Sequence, residues 1–186
     1  MSARSKARKR ALDILFEAEA KGESPLDVLQ ARTIRAEPPV SAYAAELVRG
    51  VHAHRERIDE VLGAYSRGWT LGRMPAVDRN ILRIGAYELL WGGEVPEAVA
   101  ISEAVVAARD LSTDDSPAFV NGLLARLLEV KSAILAEGSE GSEGSEGSEG
   151  SEGSEGSEGS EGSAGPEGPE GPADRDEPAE HGHADR

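Results

Sequence analysis

The chain has 186 residues, no cysteine and a formal net charge of −15. The missing cysteines exclude a disulfide framework and thiolate chemistry and agree with a reducing compartment. The charge is unevenly spread: residues 1–137 hold 18 Lys+Arg and 20 Asp+Glu, a net of −2, while residues 138–186 hold 2 and 15, a net of −13. The acidity belongs to the tail, so whole-chain charge does not argue against a nucleic-acid partner.

Taken in chain order, the head reads as helices with short connections. A first helix is expected over about 3–20, stopping near Gly22. Ser24-Pro25 opens a short second helix, with Ser as cap and Pro in the first turn. Thr33 to Val40, with Pro38-Pro39, reads as a loop. Ser41 starts a long helical stretch that breaks near His54. A connection leads to Pro75, and residues 76–91 form a helix that Gly92-Gly93 ends. Pro96 opens the next helix, to about Leu111, and Ser116-Pro117 opens the last. That last helix carries Phe119, Val120, Leu123, Leu124, Leu127 and Leu128 at core-facing helical spacing. The expected fold is all-α, a compact bundle of about seven helices.

No apolar run reaches membrane-spanning length. The basic start lacks the apolar stretch of a signal peptide, since Asp13, Glu17 and Glu19 interrupt it. A soluble, cytoplasmic protein without a membrane partner is expected. The helix at 76–91 is apolar over most of its circumference, apart from an arc through Arg79, Asn80 and Arg83, so it is expected to be central. Glu88 falls in its apolar arc and is expected to be a hydrogen-bonded structural carboxylate rather than a catalytic acid.

Arg4, Lys6, Arg8, Lys9 and Arg10 crowd the first ten residues. The core stripe of the first helix runs through Leu12, Leu15 and Phe16, and its backward extension meets Arg8 and Lys9. Unpaired cations cannot occupy a dry core, so these turns are expected to project past its edge. No acid precedes Asp13 to pair with them. A helix N-terminus also disfavours cations. An anionic partner explains the cluster better than helix stability does, and Arg is suited to phosphate. From spacing alone the candidates are nucleic acid, a solvated terminus or anionic lipid.

The segments "SKARKRALDILFEAE", "YAAELVRGVHAHRERIDEVL", "AVDRNILRIGAYELLW" and "VPEAVAISEAVVAARDLSTDDSPAFVNGLL" follow in that order. Over roughly residues 3–135 the chain resembles the NusB family of transcription antitermination factors. The resemblance implies two packed helical subdomains that bind the single-stranded boxA element of ribosomal RNA transcripts together with NusE, a small ribosomal-subunit protein. It implies a complex that joins the RNA polymerase elongation complex, and no chemical step. By position it assigns RNA binding to Arg4, Lys6, Arg8, Lys9 and Arg10, to Tyr65 and Arg67, and to Asp115, Ser116 and Phe119, with capping of the last helix, Ser116 standing before Pro117, as the competing role of that last group. Phe16 matches an aromatic position near that surface, with core packing as its competing role. Trp69 is expected to be a core anchor. Asp78 and Arg79 match the face that meets NusE, although Asp78 could simply complement its helix N-terminus. On this basis Arg8→Glu with Arg10→Glu should weaken RNA binding and leave thermal stability nearly unchanged.

An enzyme is disfavoured, because no phosphate loop or zinc-protease spacing occurs and His52 and His54 point to different sides of a helix. No cofactor or metal is expected; His181 and His183 are too sparse for a metal site. The alternatives are a self-associating helical scaffold, in which a homodimer hides the RNA surface, and a stand-alone relative of the RNA-binding module of ribosomal RNA methyltransferases. Residues 138–161 are eight copies of Gly-Ser-Glu, and the remainder to 186 has no large apolar residue. Such a tail cannot offset its chain entropy and is expected to be disordered. It would serve as a solubilising extension, an added linker or an electrostatic competitor for the basic start.

Overall fold

Each helix starts where the sequence supplies a signal. In the computed structural model, which describes residues 2–35, 39–66 and 70–140, α1 spans Ala3–Lys21. The Ser2 hydroxyl accepts from the Ser5 N–H at 3.0 Å, and Gly22 closes the helix at φ 68°. Helix α2, Pro25–Arg35, has its proline in the first turn, and the Ser24 hydroxyl accepts from the Leu26 N–H at 3.3 Å. Ser41 caps α3, Ala42–Ala53, by accepting from the Ala44 N–H at 3.2 Å. The chain then breaks at His54 before α4, Arg55–Tyr65. A 3-10 turn at Leu71–Arg73 leads to α5, Ala76–Leu90. Pro96 precedes α6, Glu97–Leu111, and Pro117 lies in the first turn of α7, Ser116–Glu129.

Two boundaries differ from the sequence expectation. Helix α2 continues through Thr33–Arg35, because the Thr33 hydroxyl bonds the Leu29 carbonyl at 2.8 Å and so stays compatible with the helix. The last expected helix stops at Val130, and an eighth, α8, runs over Lys131–Glu140 with Ile134 buried. Among the described residues there are eight α-helices and no strand.

Helix α5 organises the packing. It touches α1, α3, α4, α6, α7 and α8. From Asn80 to Leu90 only Tyr87 escapes full burial. Helices α1, α2 and α3 pack on one another, α6 and α7 pack together, and α5 joins the two groups around one continuous apolar cluster. Gly85 permits the closest part of this contact: a Cβ there would fall 2.7 Å from the Leu124 side chain. Each fully buried leucine, such as Leu82, Leu89 or Leu124, contributes about 1.5–3 kcal/mol. Tertiary burial, more than propensity, therefore fixes these short helices.

The polar arc of α5 is buried as well. Glu19 on α1 accepts from Asn80 Nδ2 at 3.0 Å, from Arg83 Nη1 at 2.8 Å and from the Arg79 guanidinium. Arg83 also donates to Asp59 on α4 at 2.7 and 2.9 Å. Burial works against the Glu19 charge, yet hydrogen bonds from Arg79 and Asn80, with the charges of Arg79 and Arg83, hold its pKa down to about 2. One guanidinium thus ties three helices together.

Candidate nucleic-acid interface

The cations of α1 divide between two faces. Arg8 turns inward and is 7% exposed. Its Nε donates to Glu88 at 2.9 Å and its Nη2 at 2.7 Å, so the fork is bidentate. Nη2 also lies 3.3 Å from the Tyr43 hydroxyl, and Nη1 lies 3.5 Å from a Glu103 oxygen. The Tyr43 hydroxyl donates to Glu88. Burial, then the hydrogen bond and charge of Glu88, push the Tyr43 pKa far above its usual value. Glu88 is the structural carboxylate expected from its position.

Arg8 corrects the sequence expectation. It does lie on the core stripe of α1, but it stays there instead of projecting past the edge, because Glu88 supplies the opposite charge. Its side chain is used up inside the fold. The expectation that Arg8→Glu would spare stability falls with it: that change sets one buried carboxylate against another.

The other α1 cations remain at the surface. Arg4, Lys6 and Lys9 are exposed, and Arg10 is half-buried. Arg4 rests over the Tyr43 ring, 5.2 Å from its centroid, and 3.5 Å from the exposed Glu94 carboxylate. Lys6 and Lys9 form no ion pair among the described residues. Phe16 shares this outer face and is 42% exposed. Periodicity groups it with Leu12 and Leu15, whereas the family resemblance sets it near the surface; the buried arc of α1 is filled by Ala7, Ala11, Leu12, Ile14, Leu15 and Ala18. The small alanines bring α1 close to its neighbours and leave Phe16 outside. Lys9 and Phe16 stand two turns apart, about 10 Å along the axis. A helix face with lysines and an exposed aromatic offers phosphate contacts and a stacking surface.

Tyr65 and Phe119, distant in sequence, meet in a groove between α4 and α7 that Gly122, Leu123 and Arg126 also line. Asp115 is exposed just before α7. Ser116 is buried: its hydroxyl donates to Asp78 Oδ2 at 2.7 Å. Asp78 is buried with it, in the first turn of α5. Both correct the expectation of surface contacts, since their polar groups join the starts of α5 and α7. Arg79 is likewise turned to internal partners, bonding Glu19 and the carbonyls of Leu71 and Met74. Arg67 and Trp69 lie outside the described residues.

The sequence reasoning missed Tyr43 and Glu103, which complete the shell around Arg8. It also missed the stack of His54 on Trp91, 4.3 Å between ring centroids, which sits at the α3–α4 break. Burial lowers the His54 pKa.

The family model described as the NusB family matches residues 5–129. The chain belongs to the NusB family. The transcription antitermination protein NusB of Kineococcus radiotolerans is 59% identical over 136 residues, which span all of that protein and 73% of this chain. The protein of the same name from Arthrobacter sp. is 57% identical, with the same coverage. Among solved structures, T. maritima NusB has a TM-score of 0.61 at 30% identity, over 69% of this chain and 92% of that one. A chain from a crystal structure of NusB and NusE with double-stranded RNA has a TM-score of 0.61 at 23% identity, over 68% of this chain and 96% of that one. This last likeness speaks for the fold alone. The NusB relatives are transcription antitermination proteins, and no described helix is long and apolar enough to cross a membrane.

Proposed function

We propose that this chain is an RNA-binding transcription antitermination factor that binds boxA-type RNA together with NusE. The observation that carries the proposal is the 59% identity running the whole length of a transcription antitermination NusB. The outer face of α1 supports it. Lys6 and Lys9 supply positive charge there, Arg10 lies beside them and Phe16 supplies a stacking surface, while Arg4 adds an exposed cation on the Tyr43 side of the helix start. Tyr65 and Phe119, with Asp115 at the edge of α7, form a second candidate contact. Arg67 follows Tyr65 directly in sequence and belongs to the same proposal.

The role is a tether without a chemical step. RNA and NusE bound to one surface each raise the local concentration of the other, so two modest affinities give one stable assembly. That assembly would act on the RNA polymerase elongation complex in the cytoplasm. Residues 1–137 form the binding domain, and the Gly-Ser-Glu segment from 138 is an appendage to it. Fluorescence anisotropy of a boxA-type RNA and a scrambled RNA, with and without NusE, tests the proposal. A preference for boxA that sharpens with NusE is expected. Equal, weak binding to both RNAs, unchanged by NusE, would overturn it and leave self-association, checked by sedimentation, as the next candidate.

A further inference from the structure

We propose that the groove between α2 and α3 docks a helix of a partner protein that carries apolar anchors flanked by carboxylates. The proposal goes beyond the antitermination reading and does not rest on it. Leu26 and Ile34 line the groove from α2, and Arg49 and His52 line it from α3. Buried Leu29 and exposed Ala53 extend the apolar lining, and the rest of the lining is uncharged. A single exposed leucine or isoleucine is ordinary on a protein surface. Here two share one groove. Leu26 is 38% exposed and Ile34 75%, the highest value among the exposed large hydrophobic residues. They stand eight residues apart on α2, about 12 Å along its axis. Anchors at i and i+7 of an incoming helix have nearly that separation, and a groove walled by two helices is the usual seat for such a helix.

Charge sets what that helix must carry. Arg49 is exposed and forms no ion pair among the described residues. His52 lies on the same side of the groove and offers an imidazole N–H in either charge state. No carboxylate lines the groove among the described residues. An apolar wall facing an unpaired guanidinium complements apolar side chains with a carboxylate beside them. Other occupants match these features less well. A second copy, in two-fold contact through this groove, would bring two unpaired Arg49 side chains into one interface. RNA would find no Phe, Tyr or Trp in the lining on which to stack a base.

The test titrates the full, isotopically labelled chain at about 150 mM salt and follows its backbone amides. The probe is a synthetic helix of about fourteen residues, with leucines at i, i+3, i+4 and i+7 spacing and glutamate and alanine elsewhere. Its counterpart has lysine in place of each glutamate. The docking predicts shift changes centred on Leu26, Ile34 and Arg49, with the glutamate peptide bound roughly 10-fold more tightly than the lysine peptide. Ile34→Asp should weaken the glutamate peptide by roughly 10-fold. Arg49→Glu should reverse the order of the two peptides, which a loss of folding cannot do. Both sites are exposed, so the fold should tolerate these changes. Shift changes that are absent at about 1 mM peptide, or centred elsewhere, for instance on Lys6 and Lys9, would overturn the docking. So would an order that Arg49→Glu does not reverse. A dimer in sedimentation that Ile34→Asp dissolves would give the groove to a second copy and overturn the proposal as well. RNA enters none of these measurements, so their outcome is separate from that of the boxA experiment.

Discussion

Arg8 on α1 and Glu88 on α5, eighty residues apart in sequence, form a bidentate ion pair in which both side chains are almost wholly buried. The pair fixes the start of α1 against the central helix and sets which cations remain for a partner. Removing one member of a buried pair strands the other and costs about 3–5 kcal/mol. Arg8→Ala and Glu88→Ala should each lose that much in urea unfolding. The double variant should lose clearly less than the sum. Additive losses, or single losses under about 1 kcal/mol, would contradict the pairing.

Glu19 makes stability depend on pH in a defined window. Its folded pKa of about 2 lies below its unfolded value near 4.3, so the folded state holds fewer protons in between. Its contribution is complete above about pH 4.5 and is lost as pH falls towards 2. Glu19→Gln should be less stable at neutral pH and show a shallower loss of stability from pH 4.5 to 2. Parallel acid-unfolding curves for the two proteins would contradict this assignment.

Gly50 on α3 faces the Tyr87 ring so closely that a Cβ there would overlap it. Gly50→Ala should cost about 1–3 kcal/mol by overpacking. Gly122→Ala on α7, where nothing lies within 4 Å, should instead gain about 0.5–1 kcal/mol from helix propensity. Thermal unfolding of both variants checks the contrast, and a neutral Gly50→Ala would remove the close α3–α5 approach from the account.

The sequence reported most of the helices through local chemistry. Ser2, Ser41, Pro25 and Pro96 mark starts, and Gly22 marks an end, because caps and dihedral limits act within a few residues. It also flagged two orphan charges, Arg8 on a core stripe and Glu88 in an apolar arc. Matching them was open to pattern reasoning, but nothing local says that two helices eighty residues apart will meet. The exposure of Phe16 is implied by the family resemblance but is not legible in periodicity, for a similar reason. Periodicity gives the direction of a stripe but not its width, and the alanines of α1 narrow the buried arc only once α3 and α5 pack there. The burial of Asp78 and Ser116 depends on the starts of α5 and α7 meeting, which is again a tertiary fact. Helix α8 escaped notice because its pattern has Ile134 as its one buried apolar residue.

The division of α1 into an inner, structural cation and outer cations proposed to bind RNA is tested most directly by the salt dependence of RNA affinity. The measurement compares Lys6→Ala with Lys9→Ala in one chain against its parent. Contacts from Arg4, Lys6, Lys9 and Arg10 at about −0.7 each give a parent log–log slope near −3, and losing the two lysines should bring it near −1.4. Unfolding free energy should stay unchanged, because both lysines lie off the core. An unchanged slope, or a slope change that comes with lost stability, would contradict the account.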